Sequence, residues 1–389
     1  MSEATDDIDV KRYDRQIRLW GLDTQRGLLG ARVLFVGVDG LMHEVAKNLV
    51  LAGVGHVCVQ DGGDVSAADV GAGGQFCVAA ADAGKKGRAE ATVEKLRELN
   101  PQVELVARRA EPDAEMLRTY HYVVATGGAA GVRRATAITA LLEGDADGAA
   151  EPAAKRARAA DAADAAAAKG SNGRHLTLPP RAAHTGGASL PKLLACGTFG
   201  LYGFCAFDLG AQPYTKLEKK KAAADAADLT ADGDAEPEME TKKYRVLYPS
   251  VRQAFAVDWA ALTKHVPKLY PALQLLCDDD GPADGLAARL LAARTARLAA
   301  SGAADSAVPE DVVRSVAEHA SHELSPVCAI VGGIIGAELI KLISGKDPPM
   351  NNVFLFDGHK SEGVVHRLGP SFDVDGAVDK GEATCLGVA

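Results

Sequence analysis

A glycine-containing turn near the start of the chain carries residues whose types and spacing could bind a nucleotide. A short apolar run, residues 32–36, leads into the turn, and apolar residues at helical spacing follow it. In such strand–turn–helix segments a G-x-G-x-x-G fingerprint lets the backbone approach phosphate groups closely. Here Gly37 fills the first glycine position, but Asp39 fills the second and Met42 the third, with Gly40 between them.

These two replacements are expected to weaken nucleotide binding. A carboxylate about 4 Å from a phosphate charge costs on the order of 4 kcal/mol at an effective dielectric constant near 20. We therefore predict a nucleotide-binding architecture whose loop does not hold a nucleotide in the usual way unless it moves aside. A protein of this kind usually works with a partner. The alternative interpretation is an ordinary turn between a strand and a helix.

Other charged residues are candidates for binding phosphate or ribose. Arg15 and Arg18 lie in a basic segment near the N-terminus, and a guanidinium is always charged and can donate two parallel hydrogen bonds to a phosphate. The alternative for both is a basic helix surface that pairs with Asp14. Asp61 ends the second predicted strand about 20 residues after the loop, where a ribose-binding acid is expected in such folds.

Further candidates are weaker. Lys85, Lys86 and Arg88 precede a predicted helix and could meet an anion at its N-terminus, although solvated side chains are an equal alternative. His43, next to the loop, has no serine or carboxylate at a spacing that would indicate a triad. The seven cysteines include no C-x-x-C pair, so we predict neither a structural zinc site nor a disulfide framework, and expect buried reduced thiols such as Cys328.

Composition excludes several classes of function. The formal net charge of −9 over 389 residues argues against general nucleic-acid binding. The acidic N-terminus lacks the apolar stretch of a signal peptide. The longest apolar stretch, residues 326–343, contains Glu338 and Lys341 and is short of a clean membrane span of about 20 residues. It predicts a buried helix packed against a sheet or a second subunit, and no membrane anchor.

The order of the predicted elements indicates an α/β fold. Strands at 32–37, 56–60, 103–108 and 121–126 alternate with helices at 41–52, 85–100 and 132–142, and a helix at 14–29 precedes them. This alternation predicts a parallel, doubly wound, Rossmann-like sheet.

The remaining sequence divides into segments of different character. We predict residues 1–142 as the Rossmann-like N-terminal half of an adenylation-type domain. Residues 188–212 and 243–369 are predicted to complete the same domain, with a helical segment at 257–322. Between these pieces we predict a disordered alanine-rich insertion, a charged linker and a flexible tail, at residues 143–187, 213–242 and 370–389. The insertion contains Lys155-Arg156-Ala157-Arg158, either a nuclear import signal or a stray basic cluster.

Several blocks of sequence resemble the regulatory halves of ubiquitin-like-modifier-activating enzymes, which have the ThiF/MoeB-type fold. The blocks are residues 13–21, 32–37 with 44–53, 75–76, 88–91, 99–101 and 325–358. The similarity extends over residues 11–142, 190–260 and 309–369. Within the family, the block 199–210 and the overall length are most similar to the small, non-catalytic subunits that serve the modifier SUMO.

The resemblance implies a function that is shared between two subunits. In the family, ATP and Mg drive adenylation of the modifier's C-terminal carboxylate, and a cysteine then captures it as a thioester. The resemblance implies that the partner carries the intact glycine loop, ATP-Mg, the zinc site and that cysteine, while this chain binds no cofactor and contributes Arg15 to the partner's ATP site. From the basic residues at 155–158 we also expect a nuclear location, with some cytoplasmic protein.

Two alternatives remain open on the sequence. One is a homodimeric ThiF/MoeB-like adenylyltransferase, and the other is a regulatory subunit for another ubiquitin-like modifier. Asp39 and Met42 make the loop more degenerate than is usual even for inactive subunits of the family.

Overall fold

The computed structural model describes residues 9–70, 78–144, 190–219 and 239–370, together with the backbone of three short strands beyond residue 370. Most of the predicted insertion, including residues 155–158, lies outside the described residues. The centre of the predicted linker and residues 75–76 lie outside them as well.

The strands are numbered in chain order. They are β1 Arg32–Val36, β2 His56–Gln60, β3 Glu104–Arg108, β4 Tyr122–Ala125, β5 Lys192–Phe199, β6 Tyr202–Asp208, β7 Ala211–Lys219, β8 Met239–Leu247, β9 Val353–Asp357, β10 Glu362–His366, β11 Phe372–Val374, β12 Ala377–Asp379 and β13 Thr384–Val388.

The helices of the described residues are numbered in the same way. They are α1 Val10–Trp20, α2 Leu22–Gly30, α3 Gly40–Ala52, α4 Ala67–Val70, α5 Arg88–Leu99, α6 Ala114–Leu117, α7 Ala130–Gly144, α8 Val251–Phe255, α9 Leu269–Asp278, α10 Leu286–Ser301, α11 Glu310–His319 and α12 Ser325–Ser344.

One eight-stranded sheet organises both halves of the sequence, in the order β10-β9-β6-β5-β4-β1-β2-β3. Strands β1 to β5 are mutually parallel, whereas β6, β9 and β10 extend the sheet by antiparallel pairing. The predicted α/β, Rossmann-like fold is confirmed. Because β5 and β6 share this sheet with β1, residues 190–208 belong to the same domain as the N-terminal half.

The predicted single helix at 14–29 is wrong, because the chain turns at Gly21. This residue ends α1 and begins α2 with φ of +84°, a backbone conformation that a side chain would strain. The predicted helical segment at 257–322 also does not open with one continuous helix. Asp258 caps a single turn of 3₁₀ helix at Trp259–Ala261, and α9 begins only at Leu269, beyond Pro267.

The predicted charged linker is wrong at both of its ends. Strands β7 and β8 form an antiparallel hairpin across it, and the rings of Tyr214 and Tyr244 stack with centroids 5.4 Å apart. Strands pair through backbone hydrogen bonds, which form whether the outward side chains are charged or apolar. The many charged residues of this segment were therefore compatible with β7 and β8. The predicted flexible tail is wrong in the same way, since β13 pairs with β8 and β11 with β12.

Helices cover both faces of the large sheet. One face buries α2, α3, α5 and α12, and the other buries α7 and the predicted helical segment that contains α9 to α11. Helix α12 packs along α3, which confirms the buried helix predicted there. By length and composition it is also apolar enough to cross a membrane, but half of that stretch is buried inside the fold.

Candidate functional site

The glycine turn connects the carboxyl end of β1 to α3, next to the carboxyl end of β4. Gly37 has a φ of +95°, and a Cβ there would lie 2.9 Å from the carbonyl oxygen of Thr126. The Thr126 hydroxyl donates to the carbonyl oxygen of Gly37 at 2.8 Å, which ties the turn to the end of β4. The predicted strand–turn–helix setting is therefore present, at the sheet edge where α/β folds bind ligands.

Asp39 caps the N-terminus of α3 with its own side chain. Its carboxylate accepts hydrogen bonds from the backbone amides of Met42 and Gly127, each at 2.7 Å, and the residue is only 5% exposed. Burial raises the pKa of this carboxyl, while the two amides and the nearby Arg134 act in the opposite direction. Amides at the start of a helix are the donors that bind phosphate in nucleotide sites. Here an acidic side chain of the same chain uses them.

A second carboxylate, which the sequence analysis missed, reaches the same helix end. Both carboxylate oxygens of Glu323 lie near the backbone nitrogen of Gly40, at 3.1 and 3.3 Å. Glu323 precedes α12 and is far from Gly40 in sequence, so no local pattern could have indicated the contact. The guanidinium of Arg134, also missed, donates to the carbonyl oxygen of Thr126 and lies where a Cβ on Gly37 would have to fit.

Asp61, predicted as a vestigial ribose-binding acid, lies beside the loop and is bound internally. One of its carboxylate oxygens accepts from the guanidinium of Arg88 at 2.9 and 3.0 Å and from the amide of Gly63 at 2.7 Å. The other oxygen accepts from the amide of Val38 at 3.0 Å. Arg88 lies 3.6 Å from Asp69 as well. The structure therefore brings Arg88 to the site, but as a partner for the chain's own acids.

The neighbouring candidates do not converge on the loop. Lys86 pairs with Asp82 and Glu94, and Lys85 is exposed. His43 is fully buried, with its Nε2 2.9 Å from the hydroxyl of Thr92, and burial lowers its pKa to about 3, so it is neutral at physiological pH.

The cysteine side chains that the structure describes are buried in the hydrophobic core. Cys58, Cys196, Cys205, Cys277 and Cys328 are free and buried, as predicted. Burial raises the pKa of Cys328 to about 12, which makes it a poor nucleophile. Among the described residues no group of histidine, cysteine, aspartate or glutamate could hold a metal ion.

Arg15 lies in a different environment from the loop residues. Its side chain is exposed on α1 and makes no hydrogen bond or ion pair with any described residue. The neighbouring Arg18 pairs with Asp14 at 3.1 Å, and Arg12 donates to Asn100 at 3.1 Å. The hydroxyl of Tyr13 accepts from Asn100 at 2.9 Å and anchors the helix. Arg15 is therefore the arginine of α1 that is available to an external anion.

Apolar side chains are exposed on α1 and on α12. Leu19, on α1, is 77% exposed. Ile330, on the face of α12 that points away from α3, is 48% exposed, and Pro326, Ala329 and Ala337 are exposed on the same helix. These positions recur at helical spacing, so they form an apolar stripe along the outer face of α12.

Comparison with known proteins agrees with this geometry. The model of the ThiF family matches residues 13–141. SUMO-activating enzyme subunit 1 of Rattus norvegicus is 31% identical over 384 residues, which cover 93% of this chain and 95% of that protein. The same subunit is 31% identical in Bos taurus, covering 93% of this chain and 96% of that one, and 31% identical in Homo sapiens, with the same coverage.

Similarity to solved structures is more distant. The crystal structure of PaaA covers 95% of this chain and 76% of its own, with a TM-score of 0.48 and 13% identity. The family assignment depends on the sequence relatives instead, because their identity extends over nearly the whole chain. Residues 13–141 match the ThiF family, and the chain as a whole belongs to the SUMO-activating enzyme subunit 1 family.

Proposed function

We propose that this chain is the regulatory subunit of a two-subunit SUMO-activating enzyme. It supports ATP-dependent adenylation of SUMO, and its capture as a thioester, by a catalytic partner subunit. The partner carries the intact glycine loop, the ATP and Mg, the zinc site and the catalytic cysteine. The family relationship supports this assignment, since the relatives bear that subunit's name.

One observation carries the non-catalytic part of the proposal: this chain uses its own nucleotide loop internally. The amides of Gly40 and Met42 donate to Glu323 and Asp39, and Asp61 is paired with Arg88. A nucleotide would have to displace two tethered carboxylates before its phosphates could reach the helix. We therefore propose that the chain alone binds no cofactor and performs no adenylation.

We further propose that Arg15 acts at the partner's ATP. It is exposed on a helix that is anchored at Tyr13, and no described residue of its own chain neutralises it. A guanidinium placed against the phosphates stabilises the negative charge that develops when the modifier's carboxylate attacks the α-phosphate of ATP and pyrophosphate leaves. The exposed apolar stripe on α12 is the surface we assign to the partner subunit, because an apolar helix face of this kind is typical of protein interfaces.

A matched pair of substitutions tests the role of Arg15. In the reconstituted heterodimer, we expect Arg15→Ala to slow SUMO-dependent ATP–pyrophosphate exchange by roughly thirtyfold to a thousandfold, the equivalent of about 2–4 kcal/mol for one lost charge-assisted contact. Arg15→Lys should restore only part of the rate, because an ammonium cannot form the bidentate contact. Arg18→Ala is the control, since Arg18 is on the same exposed helix but is paired with Asp14.

Size-exclusion chromatography of each variant checks assembly. If the assembled Arg15→Ala enzyme exchanges pyrophosphate at the wild-type rate, Arg15 has no role at the partner's ATP. Exchange by this chain without any partner would instead favour a self-sufficient adenylyltransferase.

We also propose a nuclear location with some cytoplasmic protein, on the basis of the basic residues at 155–158. An unchanged nuclear signal from a fluorescent fusion in which these basic residues are alanine would exclude that segment as the route.

A further inference from the structure

Lys346 is bound to the end of the helix that carries Arg15. Its ammonium group donates to the carbonyl oxygen of Trp20 at 2.7 Å, and the hydroxyl of Thr24 donates to the same oxygen at 2.7 Å. Trp20 is the last residue of α1, and the last carbonyls of a helix have no partner within it. A lysine there also interacts favourably with the negative end of the helix dipole. Lys346 therefore caps α1 from a distant part of the chain.

The turn that carries Lys346 is itself fixed in place. It follows α12, and Gly345 and Asp347 on either side of Lys346 have φ of +62° and +61°. The backbone amide of Thr215, in β7, donates to the carbonyl of Gly345 at 2.8 Å, and the amide of Asp347 donates to the carbonyl of Thr215 at 3.0 Å. A non-glycine residue keeps a positive φ only where its surroundings impose it. Lys346 thus joins α1 to a rigid turn.

Helix α1 is also held along its length, where the side chain of Arg12 donates to Asn100 at 3.1 Å and that of Gln16 to the carbonyl oxygen of Leu51 at 3.4 Å. Of its described residues Tyr13 alone is fully buried, near the N-terminal end. Trp20 is partly buried against the core at the other end. Arg15 lies between these two anchors, so its direction depends on both. The Tyr13 anchor holds the N-terminal end of the helix, whereas the hydrogen bond from Lys346 holds its C-terminal end.

We propose that Lys346 is a positioning residue for Arg15. It holds the C-terminal end of α1 so that the guanidinium of Arg15 points at the ATP of the partner subunit, and it makes no contact with ATP itself. The inference deepens the proposed function and rests on it. It adds a residue from the far end of the sequence to the machinery that presents Arg15.

A double-mutant cycle in the reconstituted heterodimer tests this role. We expect Lys346→Met, which keeps an unbranched side chain one atom shorter and removes its donor, to lower kcat for ATP–pyrophosphate exchange by about threefold to tenfold, since small misplacements of a contributing group reduce rate. KM for ATP should change by less than twofold. Lys346→Arg, which retains a charged donor, should restore most of the rate. Lys360→Met is the control, because Lys360 is an exposed lysine paired with Asp357 at 3.1 Å.

The cycle separates positioning from general stability. If Lys346 acts through Arg15, then Lys346→Met should slow the Arg15→Ala enzyme no further. Hydrogen exchange of the backbone amides at residues 17–20 should also become several-fold faster in the Lys346→Met variant. Equal slowing of both backgrounds, or an unchanged rate in Lys346→Met, would overturn the inference and leave the role of Arg15 intact. An unchanged rate in Arg15→Ala would instead contradict the proposed function.

Discussion

The N-terminus of α3 and the surface of α1 belong to the same N-terminal part of the sequence. The polar groups of the first are paired within the chain, whereas Arg15 on the second is exposed. At α3, Asp39 and Glu323 occupy the amides that would bind phosphate, and Arg88 occupies Asp61. On α1, Arg15 is exposed and is paired with none of the described residues. The difference is that the acids and amides around the α3 N-terminus are paired within the chain, whereas the guanidinium of Arg15 faces outwards, as the proposed function requires.

Tethering is the physical reason why we expect the internal arrangement to exclude a nucleotide. Groups on the same chain meet at a high effective concentration, whereas ATP must come from solution. A hydrogen bond to a charged group contributes about 1.5–3 kcal/mol, and a nucleotide would have to break several of them at once. On α1, no carboxylate of the described residues is paired with Arg15. A phosphate of ATP on the catalytic subunit would therefore displace no internal contact in order to bind it.

A large effect on subunit binding is expected on the outward side, at the apolar stripe of α12. We expect Ile330→Asp to weaken binding of the catalytic subunit on the order of 100-fold, because burying an unpaired carboxylate in an apolar interface costs about 3 kcal/mol or more. The dissociation constant of the two subunits, measured by calorimetry, provides the test. The isolated variant should fold normally, since Ile330 is 48% exposed.

A matched substitution guards against a general surface effect. Val365, on β10, is also apolar and 41% exposed, so Val365→Asp introduces the same charge on a different surface. If both variants weaken subunit binding equally, or if Ile330→Asp does not weaken it, then α12 is not the surface that binds the catalytic subunit. The proposed difference between the two regions would then lose part of its support.

A smaller effect is expected on the inward side, at Asp39. Asp39→Ala removes the cap of α3 and leaves the partly buried amide of Gly127 without its acceptor, so we expect the free energy of unfolding of the isolated chain to fall by about 2–3 kcal/mol. Urea unfolding measures this loss. Asp23→Ala, in the first turn of α2, is the control, because Asp23 is exposed and should change stability by less than about 0.5 kcal/mol.

The result also bears on the contrast between the regions. If Asp39→Ala lowers the free energy of unfolding by the predicted amount and ATP binding does not increase, Asp39 is a structural residue. An Asp39→Ala chain that is as stable as wild type would show that the cap contributes little to the fold.

Local sequence patterns predicted the first half of the sheet well, because each strand there is a short apolar run. The strand His56–Gln60 was predicted with its observed bounds, and the turn at Gly37 was recognised from its position between a strand and a helix. The hairpin of β7 and β8 was missed because its charged side chains point outwards and resemble a linker.

The site itself was only partly predictable. The sequence identified Asp39 and Asp61 as abnormal or vestigial, but it could not show what they bind. Glu323 and Arg134 reach the loop through tertiary contacts that leave no trace in local spacing. The break at Gly21 was missed because the apolar pattern continues across it, and only a positive φ separates the two helices.

The claim that this chain has given up its own nucleotide is tested most directly by titrating ATP-Mg into the purified chain. The account predicts a dissociation constant of about 1 mM or weaker, a binding free energy no stronger than about −4 kcal/mol. The same titration into the assembled pair should show tight binding at the partner's site. A micromolar dissociation constant for the isolated chain would contradict the account, since ATP would then have displaced Asp39 and Glu323 from the α3 N-terminus.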